Sequence, residues 1–205
     1  MFNQLKYPII QAPMAGGVST VQLAIAVSKN GGLGYLAPGY KTVEQLEEEI
    51  KACINEEVVF GVNLFVPSTD PYIKEAKYYH GTLQQQFNME LHIPADSTDF
   101  YEEKLALVKH YKVPYVSFTF GFPSIHTIAD LQQAGIQTIV TVTSLAEAFL
   151  AKEAGVNAIC VQGIEAGGHR ASFQNEDVEE EIPLAQLIEQ IRREIDLPII
   201  AAGGI

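Results

Sequence analysis

Basic residues are scarce in this chain: Lys and Arg number 13 against 25 Asp and Glu, a formal net charge of −12 over 205 residues. Nucleic acid and acidic membranes both demand a basic face, so neither is expected as a partner. A long apolar run is also lacking. No segment approaches the roughly 18 apolar residues that span a bilayer, and no basic stretch followed by an apolar one opens the chain. The expectation is a soluble, cytoplasmic protein. Cysteine is nearly missing. Cys53 and Cys160 lie far apart, so both are read as reduced, with Cys160 as core packing and not a nucleophile. His80, His92, His110, His126 and His169 form no His-x-x-x-His pair, and no metal site is expected. The acidic run from Glu176 to Glu181 lacks the glycine punctuation of a calcium loop and reads as a solvated loop. The Gly-x-Gly-x-x-Gly fingerprint of dinucleotide folds is missing as well.

What the chain does contain is 47% apolar residues, enough for a sizeable core in one domain. Short apolar runs predict about seven strands: Pro8 to Ala12, Leu33 to Leu36, Val58 to Leu64, Pro114 to Phe118, Thr138 to Val142, Ala158 to Val161 and Pro198 to Ala202. Helical patterns separate them. One begins near Ser19 or Thr20, one follows a Thr42/Gln45 capping box, and one follows Ser144 with Glu147 at its N3 position. A polar segment over about 71–98 interrupts this rhythm and reads as a helix plus an excursion on the outside. Strands so uniformly apolar are covered on both faces, which implies parallel pairing with right-handed crossovers. An open doubly wound sheet also fits. A TIM (β/α)8 barrel, an α/β fold, is favoured because ligand-type loops follow nearly every strand and do not cluster at one switch point.

Two of these loops stand out. Val161-Gln162-Gly163-Ile164-Glu165-Ala166-Gly167-Gly168-His169-Arg170 places glycines and an imidazole just after a buried strand, where α/β proteins bind ligands. At the end of the chain Gly203-Gly204 follows the last strand, offering unshielded backbone N–H groups to an anion. The helix that would complete such a cradle is not in the sequence, so the chain reads as a truncated barrel.

These stretches carry a family likeness. Gln11-Ala12-Pro13-Met14-Ala15-Gly16-Gly17, Asn30-Gly31-Gly32-Leu33-Gly34, Gly61-Val62-Asn63-Leu64-Phe65, Val116-Ser117-Phe118-Thr119-Phe120-Gly121, the Gln162 to His169 loop and Ala201-Ala202-Gly203-Gly204-Ile205 together resemble the nitronate monooxygenase family, formerly called 2-nitropropane dioxygenases. Six ordered blocks are far more specific than one glycine motif. The resemblance implies a single FMN-binding TIM-barrel domain over 1–205 with its excursion at about 71–98. Compared with that family, the chain is expected to carry the first seven barrel strands without the eighth, its phosphate loop and the carboxyl-terminal region. Self-association or the missing carboxyl-terminal segment is expected to cover the open barrel edges.

The implied activity is oxidation of alkyl nitronates such as propionate 3-nitronate by molecular oxygen, releasing nitrite and a carbonyl product. His169 is the expected catalytic residue, facing flavin and substrate; the bland alternative is a loop histidine bonded to Glu165. For FMN, the resemblance points to Ala12, Pro13 and Met14 along the ring, Asn63 and Gln162 on its polar edge, Thr141 on ribityl or pyrimidine oxygens, Gly167 and Gly168 in close approach, and Gly203 and Gly204 at the phosphate. The alternatives are that Gln162 satisfies loop backbone, Met14 fills core and Thr141 is an ordinary strand residue. Ser117 and Phe118 are expected to line the pocket. The nearest rival activity is a flavin-dependent NAD(P)H enoyl-acyl carrier protein reductase or quinone reductase on the same scaffold. Further rivals are a phosphate-ligand-binding barrel without flavin chemistry and a purely structural fragment.

Overall fold

A computed structural model of the chain describes residue 2 and residues 5–67, 73–87, 98–173 and 181–205. The excursion beyond residue 87 and most of the acidic run fall outside the described residues.

Helices and strands alternate: α1 (Val21–Lys29), β1 (Gly34–Leu36), α2 (Val43–Asn55), β2 (Phe60–Phe65), α3 (Ile73–Phe87), α4 (Tyr101–His110), β3 (Tyr115–Thr119), α5 (Ile125–Gln133), β4 (Gln137–Val142), α6 (Leu145–Glu153), β5 (Ala158–Gln162), α7 (Leu184–Glu194) and β6 (Ile199–Ala202). Local chemistry sets four of the helix starts. Thr20, Ser124 and Ser144 each accept the backbone N–H of their N3 residue, and Thr42 and Gln45 form the reciprocal capping box the sequence predicts.

The strands form one parallel sheet in the order β1-β2-β3-β4-β5-β6. That order has no switch point, which separates an incomplete barrel from the doubly wound alternative. The period-two alternation then sorts side chains into two cores. Val62, Leu64, Val116, Phe118, Val140, Val142, Ile159 and Val161 pack outward against helix residues such as Leu46, Ile128 and Leu187. Leu33, Tyr35, Tyr115, Ile139 and Ala158 form a separate concave cluster made from strand residues, joined by Cys160 and Ile200. Gly61 makes room for this inner layer: a methyl group there would stand 2.6 Å from Tyr35 Cε1. Phe118 is therefore corrected. It is fully buried on the helix side, and its neighbour Ser117 faces the concave side.

Among the described residues the sheet has six strands where about seven were expected. At the first expected position only a parallel bridge between Ile10 and Leu33 forms. Beyond it a side chain replaces the ladder. Gln11 Oε1 accepts the Tyr35 N–H at 3.2 Å, and its Nε2 donates to the Tyr35 carbonyl at 3.2 Å, so the amide imitates a peptide group.

Candidate active site

The carboxyl ends of the strands gather the loops singled out in the sequence. After the Ile10 bridge, the Ala12-Pro13-Met14 loop is held from below by the fully buried Ser19, whose Oγ accepts the Met14 N–H at 2.8 Å and an Nε2 hydrogen of Gln11 at 2.9 Å. Ala12 and Met14 remain exposed. They offer a small apolar surface backed by a rigid turn.

On the concave wall, Asn63 of β2 is 4% exposed and sits opposite Ser117 in the β2–β3 register. Its Oδ1 accepts the hydroxyls of Ser117 at 2.7 Å and Thr119 at 3.0 Å. Ser117 is also hydrogen-bonded to the Tyr35 phenol. Burial first, then the nearby Cys160, pushes that phenol far above its usual range, so Tyr35 enters the network as a neutral hydroxyl. The Asn63 carbonyl is thus fixed by the protein, while its Nδ2 donates to no described acceptor.

Thr141 lies next to Cys160 across the β4–β5 pairing and is hydrogen-bonded to it. Burial pushes the Cys160 thiol up to about 11, with the Thr141 contact acting in the opposite sense. Such a thiol stays protonated at neutral pH, which suits packing and not nucleophilic attack.

The β5 loop is tied down from several sides. Gln162 Nε2 donates to the His169 carbonyl at 3.2 Å, and its Oε1 accepts the Ala171 N–H at 2.8 Å. Arg170 donates to the carbonyls of Gln162 at 2.9 Å and Thr143 at 3.2 Å. Gln162 therefore takes up the loop-satisfying role weighed against its flavin role, with one Nε2 hydrogen left over. Glu147 is 4% exposed and completes the clamp. Its carboxylate accepts the Thr143 N–H at 2.6 Å, the Thr143 hydroxyl at 2.9 Å and the Phe173 N–H at 2.7 Å. At N3 of α6 it reaches back one residue further than a capping box requires.

His169 stands exposed on this clamped loop, after Gly168 at φ +81°. Glu165 is not its partner. Both Glu165 carboxylate oxygens accept the Leu184 N–H, at 3.2 and 3.0 Å, at the start of α7. What His169 does meet is the Phe120 ring, edge to face at 6.4 Å between centroids. A methyl group at Gly167 would meet nothing within 4 Å, so that position is open.

Gly203 and Gly204 follow β6 at φ +114° and +68° and pack against the β5 loop. A methyl group would stand 2.8 Å from the Ala166 nitrogen at the first and 2.9 Å from Glu165 Cβ at the second. Neither donates its N–H to a described acceptor. Two hollows of the described surface lie away from these loops. One between α1 and α2 is lined by Val21, Lys41, Gln45 and the Glu48-Glu49 pair, and another lies beside Gly31, Gly32 and Val58; neither is lined by a predicted site residue. Among the described residues no three His, Cys, Asp or Glu side chains converge on a metal position, and no helix is long and apolar enough to cross a membrane.

Sequence reasoning missed Tyr35, Glu147 and the aromatic residues around His169. Tyr35 lies inside the expected strand Leu33 to Leu36, and Phe120 lies in the Val116 to Gly121 block. Glu147 was seen only as a helix-start residue.

The chain is similar to proteins already known. A probable nitronate monooxygenase of Bacillus subtilis is 39% identical over 98% of this chain, and that alignment spans 59% of the relative. A probable nitronate monooxygenase of Staphylococcus haemolyticus is likewise 39% identical, with 58% of its length covered. The chain thus spans a little under three fifths of these relatives. Among solved structures, nitroalkane oxidase from Streptomyces ansochromogenes is 40% identical with a TM-score of 0.87, covering 98% of this chain and 60% of that one. FabK from Thermotoga maritima is more distant, 26% identical with a TM-score of 0.72, covering all of this chain and 53% of its own. The pattern that defines nitronate monooxygenases matches residues 1–205, and the chain belongs to the nitronate monooxygenase family.

Proposed function

We propose that the protein oxidises alkyl nitronates, propionate 3-nitronate among them, with molecular oxygen and FMN as redox cofactor, releasing nitrite and a carbonyl product. The observation that carries this reading is an exposed histidine, unengaged by any described carboxylate, on a rigidly clamped loop at the strand ends of a barrel from this family. The residues present fit FMN. Ala12, Pro13 and Met14 supply apolar surface for a planar ring, Asn63 Nδ2 and the remaining Gln162 Nε2 hydrogen are donors for its carbonyl edge, and Thr141 stands on the same concave wall. Gly203 and Gly204 hold unengaged N–H groups for a phosphate. When bound, FMN supplies electron acceptance from the nitronate and return of those electrons to oxygen.

The chain's own residues orient and exclude. As imidazolium, His169 donates to the anionic nitro oxygens of a nitronate; as neutral imidazole, it takes the α-proton of a nitroalkane. Gln162, Arg170 and Glu147 keep its backbone from drifting. Positional error of about 1 Å can cost on the order of a hundredfold in rate.

The test is oxygen uptake and nitrite release with ethyl nitronate, without NADH or NADPH. Stoichiometric nitrite supports the proposal. Oxidation of NADH or NADPH dependent on an enoyl thioester, with no nitrite from nitronates, would favour the reductase reading to which the FabK likeness points.

A further inference from the structure

We infer that Tyr40, Phe65 and Phe120 form an apolar rail across the barrel mouth that receives the hydrocarbon tail of the substrate, so that the protein favours nitronates with unsubstituted alkyl chains over those ending in a second charge. This rests on the nitronate reading of the same site and narrows it.

The rail is continuous. Tyr40 meets Phe65 edge-on at 6.1 Å, Phe65 meets Phe120 at 5.0 Å, and Phe120 meets His169 at 6.4 Å with the rings at 86°. All separations fall in the range of favourable aromatic pairs. Each ring comes from a different strand end: Phe65 closes β2, Phe120 follows β3, and Tyr40 lies in the loop after β1. The row therefore leads from the β1 side of the mouth to the histidine. It also borders the Met14 loop, because a methyl at Gly39 would lie 2.5 Å from Phe65 Cε2 and 3.1 Å from Ala15 Cβ.

Two of the three rings are held in backbone conformations that L-residues avoid. Tyr40 has φ +68° and Phe120 φ +69°. Such conformations persist where surrounding structure enforces them, and they concentrate at ligand-contact sites. The enforcement at Tyr40 is visible. Its N–H donates to Asp99 Oδ1 at 2.9 Å, and Asp99 Oδ2 pairs at 2.8 Å with Lys104, which is 1% exposed and also donates to the Pro38 carbonyl at 2.9 Å. A buried cation thus fixes a loop whose aromatic side chain is left 74% exposed. Packing alone gives no reason to hold a tyrosine there, whereas a tail laid along the row does. Among the described residues the rail carries no cation to meet a terminal carboxylate.

The experiment uses straight-chain carboxylates as probes, since a carboxylate is a planar two-oxygen anion like a nitronate. The protein saturated with FMN is titrated by calorimetry with butanoate through octanoate, and with succinate beside pentanoate. The expected result is tightening by up to about fourfold per methylene, with succinate weaker than pentanoate. Phe120→Ala flattens the series, Phe120→Leu retains part of the slope, and Tyr40→Ala, at an exposed position that does not threaten folding, flattens it for the longer members. An undetectable or length-independent affinity in the unmodified protein, equal slopes in the unmodified protein and both alanine variants, or tighter binding of succinate would each overturn the rail. Nitrite release from ethyl nitronate, measured on the same preparation, separately reports whether the nitronate reading holds.

Discussion

Removing the Glu147 carboxylate tests whether the His169 loop is positioned by a buried acceptor. In Glu147→Ala three donors among the described residues lose this partner: the Thr143 N–H, the Thr143 hydroxyl and the Phe173 N–H. The hydroxyl can rotate toward another acceptor. The two backbone N–H groups cannot, and orphaned donors of this kind cost about 1–3 kcal/mol each. Relief of the buried charge returns part of this, leaving a net loss of about 3 kcal/mol, more than a hundredfold in the folding equilibrium. With a urea slope of about 2–3 kcal/mol/M for a chain of this size, the midpoint should fall by about 1–1.5 M. Glu147→Gln keeps one acceptor oxygen and should fall about half as far. Because Phe173 anchors the same loop that carries His169, kcat/KM for nitronate should drop by at least roughly tenfold under conditions where the variant remains folded. A midpoint within 0.3 M of the parent, by the roughly 2–3 kcal/mol/M slope, together with unchanged turnover, would refute the clamp.

Three further outcomes are expected. His169→Ala should leave FMN bound while lowering nitronate turnover, and equal turnover by both proteins at limiting and saturating substrate would remove His169 from the chemistry. Gly204→Asp places a charge and a side chain where a methyl already comes within 2.9 Å of Glu165 Cβ, so FMN binding should weaken; an unchanged dissociation constant in equilibrium dialysis would argue against the glycine cradle. Burial pushes Cys160 up to about 11 and, together with Glu49, Cys53 up to about 12, so the unfolded chain releases these protons first and stability should decline from pH 9 upward through that window. Urea midpoints that stay level between pH 8 and pH 10.5 would contradict this.

Three helix starts were legible because each is written in adjacent residues, whereas α4 and α7 begin without a side-chain cap. Thr20, Thr42 and Ser144 need only an N–H three positions on. The strand sequence and the place of the ligand loops were legible for a related reason, since apolar runs bounded by glycine and proline leave few foldings open. Long-range choices were not. Nothing local says that Gln11 continues a ladder with its side chain, that Glu165 turns to α7 and leaves His169, or that Glu147 reaches across to Phe173.

The sequence by itself determined an all-parallel alternation of strands and helices, with a histidine loop and a glycine pair at strand ends, because periodicity, capping and turn chemistry act over a few residues. Only the tertiary structure decided which face each strand residue takes, and so that Ser117 and Asn63 share a concave polar network while Phe118 goes to the helices. It also decided that rings from three separate strand ends line up toward His169. Those outcomes depend on strand register and sheet curvature, which bring together residues far apart in the chain, and no local pattern encodes a distance between them.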